Sequence, residues 1–339
     1  MNKTAAKTKE LIGKAGPLVA LILLCIFLAF KNENFFTATN LLNVARQAAL
    51  NGFLSLGMMV CILTAGIDLS IGYTMTLSTI IMAKCAVEME LNPVLCLIIC
   101  ILSGAVLGLI NGLLLTKCKL PHPFISTLGT QNIYKGIGLV ITGATPIAGM
   151  PLAIKWAGSS FLSSNSDSIL GKIPVSFVLM LIFYVLFSVF LNYTTLGRHI
   201  YAVGGNINTA GLSGINVDFV RTSVYVISGV MAALGGIMLT GRTDSAYPLS
   251  GNLLENDAIA AVIIGGTSFF GGKGNVLGTF TGVLLIAVLR NGLNLLNVSS
   301  DMQTIFLGAI IIVAVFIDVV RGGGFKRVKR MKKEEQQAA

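Results

Sequence analysis

Apolar residues run along this chain in long blocks, and polar positions gather in the short gaps between them. A helix crosses the hydrocarbon core of a bilayer with about 20 mainly apolar residues. Ten blocks approach that length: 16–36, 48–66, 69–87, 93–116, 122–142, 175–192, 220–241, 257–271, 276–297 and 303–320. The pattern predicts an all-α integral membrane protein, a polytopic bundle of about ten transmembrane helices. Glycines interrupt the blocks in 48–87 and 257–297. Ala65-Gly66-Ile67-Asp68-Leu69-Ser70-Ile71-Gly72 sets an acid between two glycines, and Gly265-Gly266-Thr267-Ser268 with Gly271-Gly272-Lys273-Gly274 forms a second interruption. Lipid does not tolerate irregular backbone, so transport proteins break helices where the backbone faces a cavity or another helix. Asp68 therefore either lines such a break or caps the next helix from a tight turn. Gly104/Gly108/Gly112 and Gly278/Gly282 predict closely packed helices. Val106-Leu107-Gly108 with Asn111-Gly112-Leu113 is echoed by Val276-Leu277-Gly278 with Asn291-Gly292-Leu293, a faint sign of duplication.

Composition narrows the class. The 339 residues are 54% hydrophobic and 11% charged, too few charges to solvate a soluble surface and too apolar a chain for disorder. The net charge of +10 sits mainly in two tails, residues 1–15 and 321–339. Basic tails flanking apolar spans place both termini in the cytoplasm by the positive-inside rule, and they remove the nucleic-acid reading that a basic cluster otherwise invites. Parity agrees: Lys117 and Lys119 fall inside, Glu88 and Glu90 outside, the sparsely charged 143–174 outside, and Arg198 and His199 inside. The run Gly16 to Phe30 leads into Lys31-Asn32-Glu33-Asn34 without a small-residue cleavage site and reads as an uncleaved anchor. The transmembrane domain is thus 16–320. Six cysteines lie in or beside apolar runs with no CxxC, as small buried residues do.

Catalytic readings fail on missing parts. A phosphate-binding loop needs G-x-x-x-x-G-K-[ST], but the nearest stretch has Thr267 at the first position and Gly274 at the last. Gly211-Leu212-Ser213-Gly214 lies in a polar loop without a histidine partner, and His122 and His199 cannot build a metal site without carboxylates. No catalytic residue and no metal site are expected. Polar residues inside spans are then the candidates for a conduit. Thr127, Gln131 and Lys135 recur every fourth residue and share one helix face. That face suits either hydrogen bonds to a neutral polar solute or a seam between helices. Asp257 and Arg290 stay open in the same way. The interior stretch 193–219 is neither apolar enough to span nor charged enough to float. Gly204-Gly205-Asn206 would break one helical piece and Asn208 would cap a second, short one. Such a piece suits either docking into a cytoplasmic partner or a partnerless interfacial loop.

At this point the chain resembles the permease subunits of bacterial ABC importers for monosaccharides, the ribose/galactose/xylose group. The likeness rests on GIDLSIG at Gly66–Gly72, Asn111–Leu115 with Leu120–Gly129, Leu196–Ile215, Asp257–Ser268 and Asn291–Leu296, and runs over about 40–320. The resemblance implies two permease copies, identical or homologous, in the bacterial inner membrane. It also implies a pair of cytoplasmic ATPase subunits and a periplasmic or lipid-anchored sugar-binding protein. No cofactor is expected on this chain, since ATP and magnesium belong to the ATPase. The match to the family's coupling loop carries over to Gly197, Arg198, Tyr201, Gly204, Asn206, Ala210, Leu212 and Gly214. Asp68, Ser70, Thr127, Gln131, Lys135 and Asp257 are the candidates for the path. The chain departs from the family at Ala65, where glycine is usual, and around Leu253, Glu255 and Asn256. An ion-coupled secondary transporter of a small polar solute is the rival reading, though Asp68 and Asp257 are few carboxylates for it.

Overall fold

The structure is a computed structural model that describes residues 3–162 and 171–321, with side chains for 16–162 and 171–320. The side chains of the N-terminal tail, Asp167 and the tail beyond Arg321 lie outside the described residues. In chain order the elements are α1 (Lys3–Lys31), α2 (Ala38–Leu63), α3 (Ile71–Ala83) with a π-helical turn Lys84–Glu88, α4 (Pro93–Thr116) and α5 (Pro123–Thr142). Next come β1 (Ile147–Ala148), α6 (Leu152–Ser159), α7 (Val175–Tyr193), α8 (Thr195–Gly205), α9 (Ile207–Leu212) and α10 (Val217–Thr243). The chain ends with β2 (Ser245–Ala246), α11 (Leu254–Ile264), α12 (Val276–Leu295) and α13 (Ser300–Arg321).

Among the described residues six helices are long and apolar enough to cross a membrane: α2, α4, α7, α10, α12 and Ser300–Val320 of α13. Helix starts follow local chemistry, with Asn92 before α4 and His122 before α5 each preceding a proline at the first helical position and capping a backbone N–H two residues on. Asn216 and Asn275 cap α10 and α12 through Phe219 N (3.0 Å) and Gly278 N (2.6 Å). The helices α2 and α10 are buried through most of their length, whereas α4, α7 and α13 turn large apolar side chains outward, as lipid-facing helices do. Both glycine ladders are contact surfaces. A Cβ on Gly104, Gly108 or Gly112 would strike the α10 backbone at Gly229, Tyr225 or Thr222, and one on Gly278 or Gly282 would strike α11 at Gly265 or Ala261.

The connections sort to two ends of the bundle. At one end β1 pairs antiparallel with β2, α6 packs Gly158 on Gly241, and Lys155 Nζ meets Asp244 Oδ2 at 2.7 Å. At the other, Gly272 N donates to Leu63 O (2.9 Å), Tyr201 Oη to Gly274 O (3.0 Å) and Ser268 Oγ to Asp318 Oδ2 (3.1 Å). Residues 143–162 thus lie at the first end and 193–219 at the second, the two stretches that charge parity assigns to opposite sides.

One of the expected spans is half-length, and another is helical through a change of helix type. The 257–271 block yields only the 11-residue α11, about 16 Å at 1.5 Å per residue against a core of about 30 Å. The 69–87 block becomes the 13-residue α3 and its π-helical turn. Both helices begin inside the bundle.

Candidate functional site

After α2 ends, residues 64–70 turn back and climb into the bundle without helical structure. Their depth is set by Asp68, whose Oδ2 accepts from Ser228 Oγ at 2.7 Å. Ser228 lies about 16 Å along α10 from its start, so Asp68 sits in a re-entrant break and not in a cytoplasmic turn. It also does the local work of a cap, since its Oδ1 accepts from Ser70 N (3.1 Å) and Ser70 Oγ (2.7 Å). The motif then spreads sideways. Asn111 Nδ2 of α4 donates to Ser70 Oγ (2.7 Å), and Thr130 Oγ1 of α5 donates to Asn111 Oδ1 (2.6 Å). Ile67 O accepts from Tyr225 Oη (3.2 Å) and Thr127 Oγ1 (3.4 Å). Asp68, Ser70, Asn111, Thr127 and Ser228 are almost wholly buried. They form a hydrogen-bonded hub joining the break to α4, α5 and α10. Buried polar groups require such partners, and a complete network specifies one packing.

A second break enters from the opposite end. Residues 247–253 descend from β2 toward the start of α11, and at the crossing point Gly72 and Gly251 touch backbone to backbone, so that a Cβ on either would overlap the other's carbonyl. Each break holds a non-glycine residue in the left-handed region, Ala65 at φ 57° and Leu253 at φ 63°. Such a residue costs about 1–2 kcal/mol and persists only where its surroundings impose it. Ala65 is the position at which the resemblance expects glycine, and the backbone shows why glycine suits it.

Around the crossing stands a polar cluster. Tyr73 Oη donates to Asn252 Oδ1 (3.4 Å), Thr76 Oγ1 and Ser250 Oγ lie 3.2 Å apart, and Gln131 Nε2 donates to Glu255 Oε1 (3.2 Å). The Lys135 ammonium stands 5.7 Å from the centre of the Tyr73 ring, a cation–π approach. Glu255 is buried, and its Oε2 has no hydrogen-bond partner. Asn252 and Asn132 are exposed and Gln131 and Lys135 half-buried, at a depth where neighbouring helices present apolar side chains. Acceptors, donors and an aromatic ring meet here with no nucleophile–base pair. Among the described residues no group of three or more His, Cys, Asp or Glu could hold a metal ion. The arrangement can hold a polar solute by hydrogen bonds.

The predicted path residues therefore divide. Gln131 and Lys135 reach the crossing, as their shared helix face allows. Asp68, Ser70 and Thr127 belong to the hub beneath it. Asp257 stands apart, its carboxylate gripped at both oxygens by Arg290 of α12 at 2.6 and 2.7 Å. Tyr73 and Asn252 were not legible as site residues, because only the meeting of two distant breaks gives them a common place.

The coupling candidates divide as well. Thr194 caps α8 through Gly197 N (3.0 Å), and Gly197 packs against the last carbonyls of α7. Gly204 presses on Leu63 O, where any Cβ would overlap. Asn206, and not Asn208, caps α9 by accepting from Thr209 N (3.0 Å). Ala210 is buried and Gly214 takes φ 84°. Arg198 points outward with one bond to Tyr193 O (3.4 Å), and Leu212 is 91% exposed. The short helices thus show Arg198 and Leu212 to solvent, while Gly204 and Tyr201 fasten them to the ends of α2 and the 265–275 loop.

Residues 40–315 match the family described as "Branched-chain amino acid transport system / permease component". The ribose import permease protein of Bacillus subtilis (strain 168) is 44% identical over 305 residues, 90% of this chain and 92% of that protein. The D-allose transport system permease protein of Escherichia coli (strain K12) is 40% identical over 298 residues, 88% of each chain. The galactose/methyl galactoside import permease protein of the same strain is 36% identical over 328 residues, 91% of this chain and 94% of that protein. No solved structure matches the chain. With a family match across most of its length and relatives at this identity, a chain built of two broken helices crossing in an apolar bundle belongs to the transport-system permease components.

Proposed function

We propose that this chain is the membrane permease of an ATP-driven importer and passes a monosaccharide across the bacterial inner membrane. Ten membrane-embedded segments and cytoplasmic termini complete the reading. Ribose, allose, fructose and galactose are the sugars named for the relatives, and all are monosaccharides. The observation that carries the proposal is the exposed irregular backbone at Asn252 beside the half-buried polar side chains of Gln131 and Lys135. Lipid does not accept either, so this flank faces water and a second permease copy. The solute would then pass between the two copies, over the Tyr73–Glu255 cluster, with Glu255 Oε2 free to accept a sugar hydroxyl. Cytoplasmic ATPases would dock on α8–α9, and a sugar-binding protein outside would deliver the solute.

Coupling follows from contacts already described. Closure of the ATPases draws on α8, whose Gly204 bears on Leu63 and Gly272. These two residues end the segments leading into the break before α3 and out of α11, so both helices move with the lever. A rearrangement at their crossing opens the cavity to one side or the other.

The test is capture. The permease should copurify with its ATPase subunits, and Leu212→Glu or Arg198→Glu should lower the recovered ATPase at least tenfold without lowering permease yield. Equal recovery from the variants, or no ATPase with the unaltered chain, removes the docking assignment. Uptake that follows membrane potential would favour the ion-coupled rival. For the path, Glu255→Leu is expected to cut uptake at least tenfold while ATPase recovery stays unchanged. Uptake within twofold of the unaltered chain would take Glu255 off the path.

A further inference from the structure

At the outer end of the bundle a cavity of about 420 Å³ opens between the start of α2 and the ends of α10 and α12. Two cations line it, Arg46 and Arg242, close enough for their charges to repel. Among the described residues no carboxylate pairs with either. The Phe161 ring covers one face of the Arg46 guanidinium, 4.7 Å from its centre, and the buried Arg46 Nε has no hydrogen-bond partner. Asn43, Gln47 and Asn294 complete the rim. Asn294 Oδ1 already accepts from Gln303 Nε2 (2.8 Å), which leaves its amide N–H groups for the cavity. On the floor, Asn40 and Asn291 satisfy each other in both directions at 2.8 and 3.0 Å and neutralise nothing.

Two guanidiniums without a carboxylate partner, Arg46 half-buried and Arg242 exposed, line one open cavity ringed by amide donors and are completed by a ligand with more than one negative oxygen. A phosphate group supplies oxygens for both forks, whereas a single carboxylate is matched by one. The cavity sits where a headgroup would reach. Beside it the last turn of α1 exposes Phe30 (88%) and the α1–α2 connection exposes Phe36 (60%), as aromatic residues do at a membrane interface, and Asn32 Nδ2 ties that connection to Leu295 O on the cavity wall. Basic pockets between spanning helices are a recurrent means of holding lipid phosphates.

We propose that the Arg46–Arg242 cavity is a phosphate-binding site on the outer face, taking the phosphodiester of a lipid headgroup or a free phosphate ion. It is separate from the α3–α11 crossing and does not depend on the importer reading. The test uses the full-length chain, delipidated in detergent, with thermal unfolding followed at constant ionic strength. Inorganic phosphate is added in one arm, and phosphatidylglycerol or phosphatidylcholine in two others. A saturable upward shift in Tm is expected from at least one of these. It should weaken at least tenfold in half-saturating concentration in Arg242→Gln and vanish in Arg46→Gln/Arg242→Gln. Lys117→Gln, at the opposite end, should leave it unchanged. Arg46→Lys keeps the charge and the fold while losing the planar fork, and should retain a weaker response.

A response to inorganic phosphate identifies the free ion, and a response to phospholipid alone identifies the headgroup. The proposal is overturned by no response in the unaltered chain, or by an undiminished response in Arg242→Gln and Arg46→Lys.

Discussion

Gly204→Val is expected to abolish uptake, by at least a factor of ten, while the permease still captures its ATPase. A Cβ at this position overlaps Leu63 O and comes within 2.7 Å of Gly272 N, the donor of the Gly272–Leu63 hydrogen bond. Backbone cannot yield as a flexible side chain would, so α8 must lift away from both segments it fastens. Overpacking of this kind costs about 1–3 kcal/mol, which a bundle of this size survives. The docking surface proposed at Arg198 and Leu212 would remain, but its motion would no longer reach the breaks. Measuring uptake and recovered ATPase on one preparation separates this variant from Leu212→Glu, which should lose capture. If Gly204→Val transports normally, the junction with Leu63 is not the transmission point.

The second large effect is expected at Asp68. Its two oxygens accept three hydrogen bonds, from Ser70 N, Ser70 Oγ and Ser228 Oγ. Asp68→Ala strands these donors in a fully buried site, at about 1–3 kcal/mol for each group left unpaired. The loss should appear as a fall in Tm of several degrees and in the yield of monodisperse permease. Asp68→Asn keeps the shape but offers one acceptor oxygen and two donors to a site that presents three donors, so it too should destabilise, by less than alanine does. Ser228→Ala removes one donor together with its need for a partner and should be the mildest. A ranking with Ser228→Ala as the most damaging would mean that the hub is not held through the Asp68 carboxylate.

These expectations rest on features the chain reveals unequally. The class of protein was legible at once, because burial in lipid demands long apolar helices and that demand is written in composition and block length. The grouping of the connections into two ends was legible in single lysines and glutamates between blocks. The helix-packing glycines were legible from spacing, since closeness of approach depends on the absence of a side chain. So was the α8–α9 pair, through its glycines and asparagines and through its likeness to a known coupling loop. Asp68 was visible as an acid in an apolar run. Its partners were not, because Asn111 and Ser228 come from separate helices that meet only on folding.

Periodicity failed at 69–87 and 257–271. An apolar run looks alike whether it spans the bilayer or lies buried inside other helices, and α3 and the half-length α11 are hidden by α2, α10 and α12. Their N-termini enter from opposite ends and touch at Gly72 and Gly251, residues far apart in the chain whose contact no local pattern encodes. What the sequence by itself determined was the solvent, the helical character and the two ends of the bundle, all set by the transfer energetics of individual segments. Only the tertiary structure decided where the breaks cross, which polar groups share a cluster, and that Arg46 and Arg242 face one cavity without an acid. Those depend on which helices pack together, and pairwise proximity is a property of the folded chain.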